Sequence, residues 1–251
     1  MAQALHGPAA APAFIGGARK TGRTFDPRSL SPVPEPVARW LTHALTPGAE
    51  LTEGARIRQR GRVRFGLLWL PFRGELYVAP HRALAWRARV GRGPLKLVGA
   101  DVYYDGTGSM AWDLLGVIPC VRATDEDAVR SLRGHLAVLS LWAPWALLTP
   151  SVTWSVGGPD EATARWTIDD QVVSLEIGVG PAGELREART QRWGNPDGAG
   201  YRLLPYSVVV DREHTFGAVT VPARVRAGWW FSNGAFQRGA SMQVLVDALT
   251  P

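Results

Sequence analysis

The chain has 251 residues, of which 46% are hydrophobic and 20% charged, a balance that supports a sizeable core and excludes a disordered chain. Its net charge is +6, and residues 1–124 carry 17 basic and 8 acidic groups against 11 and 14 in residues 125–251, so the positive field belongs to the first half. A single cysteine excludes an internal disulfide, and no apolar window approaches the ~20 residues that span a bilayer.

Met1 to Asp26 is rich in Ala, Gly and Pro, without the basic n-region and unbroken apolar run of a secretory signal. We expect residues 1–25 to be flexible, residues 26–251 to form one domain, and the protein to be cytoplasmic. Gly16 to Gly22 lacks the spacing of a phosphate loop. Pro34 to Leu45 reads as a short helix, with Val37, Trp40, Leu41 and Leu45 on one face and Pro47-Gly48 as its stop.

From there the period becomes two. Arg56, Arg58, Arg60, Arg62 and Arg64 alternate with Ile57, Gln59, Gly61, Val63 and Phe65, which predicts a strand with one guanidinium face. Leu70–Pro80, Ala83–Val90, Leu95–Tyr104 and Ser109–Leu115 continue the meander, the last two as a hairpin across Asp105-Gly-Thr-Gly108. Pro119 should end it, and Cys120, among Val117, Ile118 and Val121, reads as an inert core thiol.

Thr124 to Leu148 reads as the one long helix. Thr124 is placed to cap it, Asp125, Glu126 and Asp127 suit its positive end, and Val129, Leu132, Leu136, Leu139 and Ala143 form an apolar stripe. Leu136 to Leu148 carries no charge, so this part must be enclosed, with Pro144 as a kink or stop. Strands are then expected at Ser151–Val156, Ala162–Ile168, Val172–Val179, Glu184–Trp193, Tyr201–Arg212, Phe216–Phe231 and Phe236–Val246, with a turn at Ser232-Asn-Gly234. Neither meander alone would cover the helix. The expected fold is therefore mainly β: a strongly curved antiparallel half-barrel wrapped around one long buried helix, with a short helix near its N-terminus.

The eleven tryptophans suit either dense packing or a wide apolar cavity. Trp86, Trp112, Trp142, Trp145 and Trp229 are the expected lining of a hollow, with Tyr103 and Arg226 as polar contacts for a headgroup. Asp101 and Asp113 are candidate acid–base residues should the hollow be an active site; each could equally sit in a structural ion pair. The arginine face is either a solvated outer surface or a platform for anions. The five histidines lack metal-ligand spacing and no serine occupies a nucleophile elbow, so no metal or cofactor is expected. Nucleic acid is disfavoured, because no recognition helix or zinc spacing accompanies the arginines.

Pro34-Glu-Pro-Val-Ala-Arg-Trp-Leu41, Leu70-Pro-Phe-Arg73, Trp86-Arg-Ala-Arg-Val-Gly-Arg-Gly-Pro-Leu95, Trp142-Ala-Pro-Trp-Ala-Leu-Leu148, Arg192-Trp-Gly-Asn-Pro-Asp-Gly198 and Thr215 to Phe231 together resemble a bacterial family that carries a domain-of-unknown-function label. More distantly, the meander, apolar helix and second meander resemble the LolA-like outer-membrane lipoprotein carriers, a half-barrel that holds acyl chains in its hollow. That resemblance implies binding or carrying of a lipid or other hydrophobic small molecule, with peripheral contact to an anionic membrane as a further expectation. The alternatives are an enzyme using Asp101 or Asp113, and an interaction module using the Arg56–Arg64 face.

Overall fold

The computed structural model describes residues 19–229 and 240–251. β1 (Lys20–Thr24) pairs with β2 (Glu50–Thr52), and a 3-10 turn and α1 (Glu35–Ala44) lie between them. Residues 20–24, expected to be flexible, are thus a strand: Thr21 Oγ1 donates to the Leu51 carbonyl (2.6 Å) and Lys20 pairs with Glu50 (2.8 Å).

The first meander is β3 (Ala55–Phe65), β4 (Leu68–Ala79), β5 (Ala83–Gly91), β6 (Lys96–Tyr104), β7 (Thr107–Leu114) and β8 (Ile118–Ala123). The second is β9 (Thr153–Gly158), β10 (Glu161–Ile168), β11 (Gln171–Val179), β12 (Leu185–Gly194), β13 (Arg202–Phe216), β14 (Val219–Trp229) and β15 (Ala240–Thr250). All thirteen form one antiparallel sheet in the order β8-β7-β6-β5-β4-β3-β15-β14-β13-β12-β11-β10-β9. The only neighbours in this order that are not consecutive in the chain are β3 and β15, joined from Arg56↔Thr250 to Val63↔Met242. That pairing turns two meanders into one sheet.

The sheet's two free edges, β8 and β9, are the strands on either side of the long helix in the chain. The chain therefore leaves one edge, crosses the concavity, and re-enters at the other. How strongly the sheet curls follows from one contact. Tyr103 on β6 donates its hydroxyl to Asp169, in the turn between β10 and β11. Flat, the eight interstrand steps between β6 and β11 would separate them by roughly 38 Å. The sheet is an open half-barrel closed on itself by side chains.

α2 runs Glu126–Leu139, shorter than expected. Its cap is Asp125 rather than Thr124: Asp125 Oδ1 accepts from the Ala128 amide (2.8 Å). Past Leu139 the chain tightens into two 3-10 turns, Ser140–Trp142 and Pro144–Leu147, because Pro144 cannot continue an α-helical ladder. Everything from Leu136 to Leu147 is buried, as its composition demanded. Indole N–H groups tie this apolar end down. Trp142 Nε1 donates to the Pro222 carbonyl (2.8 Å) and Trp145 Nε1 to the Thr52 carbonyl (2.9 Å).

Two readings on the first meander are corrected. Pro119 does not end it but lies within β8, which an edge strand permits because one side of its backbone has no partner to lose. Cys120, on that same edge, is exposed and not a core thiol. The expected turn at Ser232-Asn-Gly234 lies outside the described residues.

Candidate functional site

The inner face of the sheet, the last turn of α2 and the 3-10 turn after it enclose a hollow lined by Gln59, Trp86, His135, Trp142, Tyr206 and Met242, among others. Its free volume is only about 30 Å³, room for a water or two and not for an organic ligand. Side chains fill most of what the sequence suggested as a cavity.

Its walls are built by glycine. A Cβ on Gly99 of β6 would stand 2.5 Å from the Trp112 ring on β7, and one on Gly194 of β12 would stand 2.3 Å from the Trp229 ring on β14. The Trp112 and Trp229 rings therefore occupy the space that a side chain at Gly99 or Gly194 would need. Trp86 packs on Trp112 at 5.3 Å between ring centroids, and Trp229 meets Tyr206 edge-on at 5.2 Å. Trp86, Trp112 and Trp229 keep partial solvent contact, and Val63, Leu70, Leu97 and Met242 extend this half-exposed apolar strip toward the turns that follow β3, β5 and β7. α2 covers the inner face incompletely.

Polar groups enter the same region. Asp101 stands opposite Trp86 across β5 and β6, and Trp112 Nε1 donates to its Oδ1 (2.8 Å). Burial raises the Asp101 carboxyl from 3.8 to about 6, against the lowering pull of the Trp112 hydrogen bond and of Arg192. Burial also holds His135 well below its usual range, helped by Arg192, so its imidazole is neutral. The Trp86 Nε1 and His135 Nδ1 atoms are buried without a hydrogen-bond partner among the described residues.

Arg192 is the residue that sequence reading missed. It is a buried guanidinium on β12, stacked 5.1 Å from the Tyr206 centroid and 5.0 Å from that of Trp229. No carboxylate lies within salt-bridge distance among the described residues, and its one protein hydrogen bond is a long one from Nε to the Ser131 carbonyl (3.5 Å). Gly134 on α2 leaves space for its stem to pass, since a Cβ there would stand 2.9 Å from Arg192 Cγ. The signal was present in the alternation: Arg192 is in phase with buried Ala188 and Thr190.

Of the seven expected lining residues, Trp86 and Trp142 line the hollow, and Trp112 and Trp229 border it. Three are elsewhere. Arg226 points to the outer face, out of phase with buried Val225 and Ala227, and grips Asp211 through Nε (3.0 Å) and Nη2 (2.7 Å). Tyr103 is fully buried at the seam, bound to Asp169 and reached by Arg133 Nε (3.3 Å). Trp145 faces a separate recess of about 260 Å³ beside Leu51 and His81. Asp113 is excluded as an inner acid or base: it sits opposite in phase to Trp112 and is paired with Arg122.

The outer face carries the arginine ladder as expected. Arg58, Arg60 and Arg62 are exposed, with Arg56 and Arg64 half-buried beside them. Arg56 pairs with Glu75 (3.0 Å), Arg60 reaches Asp247 (3.3 Å), and Arg64 stacks over Trp69 (5.9 Å). Depressions of about 750 Å³ and about 660 Å³ lie on this face and share Arg60, Arg73 and Arg89.

Residues 23–239 match a family of unknown function (DUF6544). No curated protein matches the sequence. Among solved structures, the chain is similar to a LolA superfamily protein from Nitrosomonas europaea, at 10% identity and a TM-score of 0.46 over 79% of this chain and 86% of that one. It is also similar to a domain provisionally assigned to outer-membrane lipoprotein sorting from Vibrio parahaemolyticus, at 9% identity and a TM-score of 0.43 over 86% and 88%. A DUF1329 family protein from Desulfovibrio piger aligns at 10% identity and a TM-score of 0.36 over 78% and 85%.

Proposed function

The protein belongs to the DUF6544 family of unknown function, and we propose that it binds an amphiphile, with an apolar chain and an anionic head, between the inner face of its sheet and α2. One observation carries this reading: an almost wholly buried arginine with no carboxylate in salt-bridge distance among the described residues and only the more distant Asp101 to balance it, laid against Tyr206 and Trp229 at the edge of an aromatic hollow. A buried charge is costly to leave uncompensated, and the spare guanidinium N–H groups of Arg192 match a carboxylate or phosphate. The partly exposed strip of Val63, Leu70, Leu97 and Met242 supplies apolar surface for the tail, at about 25 cal/mol per Å² covered.

The hollow's free volume of about 30 Å³ means that the ligand enters an opened form. A pocket for a small amphiphile needs an order of magnitude more room.

The test is uptake of the fluorescent fatty acid cis-parinaric acid by the whole chain, together with native mass spectrometry after detergent-free purification. Saturable uptake is expected, weakened roughly tenfold by Arg192→Met and largely restored by Arg192→Lys. A chain that carries nothing and takes up no probe overturns the proposal, as does an Arg192→Met variant that folds and binds like the wild type.

A second reading, acid–base chemistry on the bound molecule, is favoured by the raised Asp101 carboxyl and the neutral His135. It requires a ligand that the protein converts and that Asp101→Asn binds without converting.

A further inference from the structure

The three turns that follow β3, β5 and β7 lie at one end of the sheet, because alternate turns of an antiparallel meander share an end. Each presents apolar side chains to water. The first carries Leu67, 98% exposed, with Leu68 and Phe65; the second carries Leu95, 73% exposed; the third carries Val117, 76% exposed, with Ile118 and Leu115. More than half of the large hydrophobic residues standing exposed on the described surface belong to these three turns. A monomeric protein gains nothing by gathering them there.

Cations stand behind them along the outer face. Arg62 precedes the first turn on the outer face, Arg92 and Lys96 flank Leu95, and Arg89 and Arg73 complete the group. None of these five has an ion-pair partner among the described residues, although neighbouring Arg56, Arg60 and Arg226 are paired. They line the depression of about 750 Å³ that opens beside the turns, together with Arg224.

We propose that this end of the half-barrel docks on an anionic phospholipid bilayer, with Leu67, Leu95 and Val117 entering the acyl boundary while Arg62, Arg73, Arg89, Arg92 and Lys96 meet lipid phosphates. The pairing of apolar tips with cations set behind them is what selects this occupant. Nucleic acid would satisfy the cations and leave the leucines in water. A single soluble anion would fill the depression and leave the turns unused. Only an interface that is charged at its surface and apolar beneath uses both sets.

The inference is independent of ligand uptake, since vesicle binding and probe binding are separate readouts. The test is co-sedimentation of the full chain with vesicles of phosphatidylcholine alone and of phosphatidylcholine mixed with phosphatidylglycerol. Binding is expected on the mixed vesicles only, and should fall as salt rises. The triple variant Leu67→Ser/Leu95→Ser/Val117→Ser should bind the mixed vesicles roughly tenfold or more weakly, and so should Arg62→Glu/Arg92→Glu. All five positions are exposed, so thermal melts should match the wild type and exclude misfolding as the cause. Equal binding by the triple variant would overturn the proposal, leaving a basic face that attracts any polyanion. Failure of the wild type to bind mixed vesicles would overturn it as well, and so would duplex DNA binding that displaces the vesicles and is unchanged in the triple variant.

Discussion

Asp101 shows how much one carboxyl can reveal about an interior. Burial lifts it from 3.8 to about 6, so the folded protein holds its proton through a pH range in which the unfolded chain has lost it. More protons bound when folded means that this group's contribution falls as pH rises from about 4 to about 6, then stays level. The full shift corresponds to about 3 kcal/mol, an upper bound because Asp101 keeps some contact with water. Asp101→Asn keeps an acceptor for Trp112 Nε1 and removes the charge. It should therefore be more stable than the wild type by ~1–3 kcal/mol at about pH 7.5, with the advantage gone near pH 4. Urea unfolding at both values measures this, and a constant difference would mean that Asp101 titrates normally. The glycines beneath the indoles give a prediction of opposite sign. Gly194→Ala puts a methyl where Trp229 lies and should cost ~1–3 kcal/mol, with a change in tryptophan emission as the ring lifts.

The elements were legible in the sequence where a residue's neighbours decide its state. Alternation located β3 because five arginines take turns with Ile57, Gln59, Gly61, Val63 and Phe65, and an uncharged run from Leu136 to Leu147 could only be internal. What the sequence hid was non-local or at a boundary. Nothing in β3 or β15 announces that they pair, since each would suit any antiparallel neighbour. The helix is shorter than its apolar run because 3-10 turns and α-helix share an apolar composition. Arg226 is close to Trp229 in sequence but three residues away, an odd step that puts the two on opposite faces; the arginine that meets Trp229 is Arg192, from another strand. The N-cap is the boundary that can be tested most sharply. Asp125→Ala removes the acceptor for the Ala128 amide and should cost about 1 kcal/mol, whereas Thr124→Ala should be close to neutral. Equal losses in the two variants would restore Thr124 as the cap.

At the scale of the whole molecule, the open sheet is held in its curl by a latch at the seam. Tyr103 donates to Asp169, Arg133 on α2 reaches Asp169 (3.3 Å) and Asp170 (2.6 Å), and so β6, α2 and the turn between β10 and β11 meet at one point. Burial and the acceptance by Asp169 push the Tyr103 hydroxyl up to about 12, so it remains a donor at any physiological pH. A latch of this kind opposes ligand entry, since a hollow with about 30 Å³ free must open first. If ligand binds only the open form, the apparent affinity is the intrinsic one multiplied by the open fraction. Losing one hydrogen bond to a charged group, worth ~1.5–3 kcal/mol, raises a small open fraction by roughly one to two orders of magnitude. Tyr103→Phe should therefore lower thermal stability and yet bind cis-parinaric acid more tightly and faster, with quicker amide exchange in α2 and β10. A lining variant such as Arg192→Met should weaken binding without speeding it. The two effects run in opposite directions, so a Tyr103→Phe protein that loses stability and also loses affinity would show that the seam shapes the binding site and does not gate it.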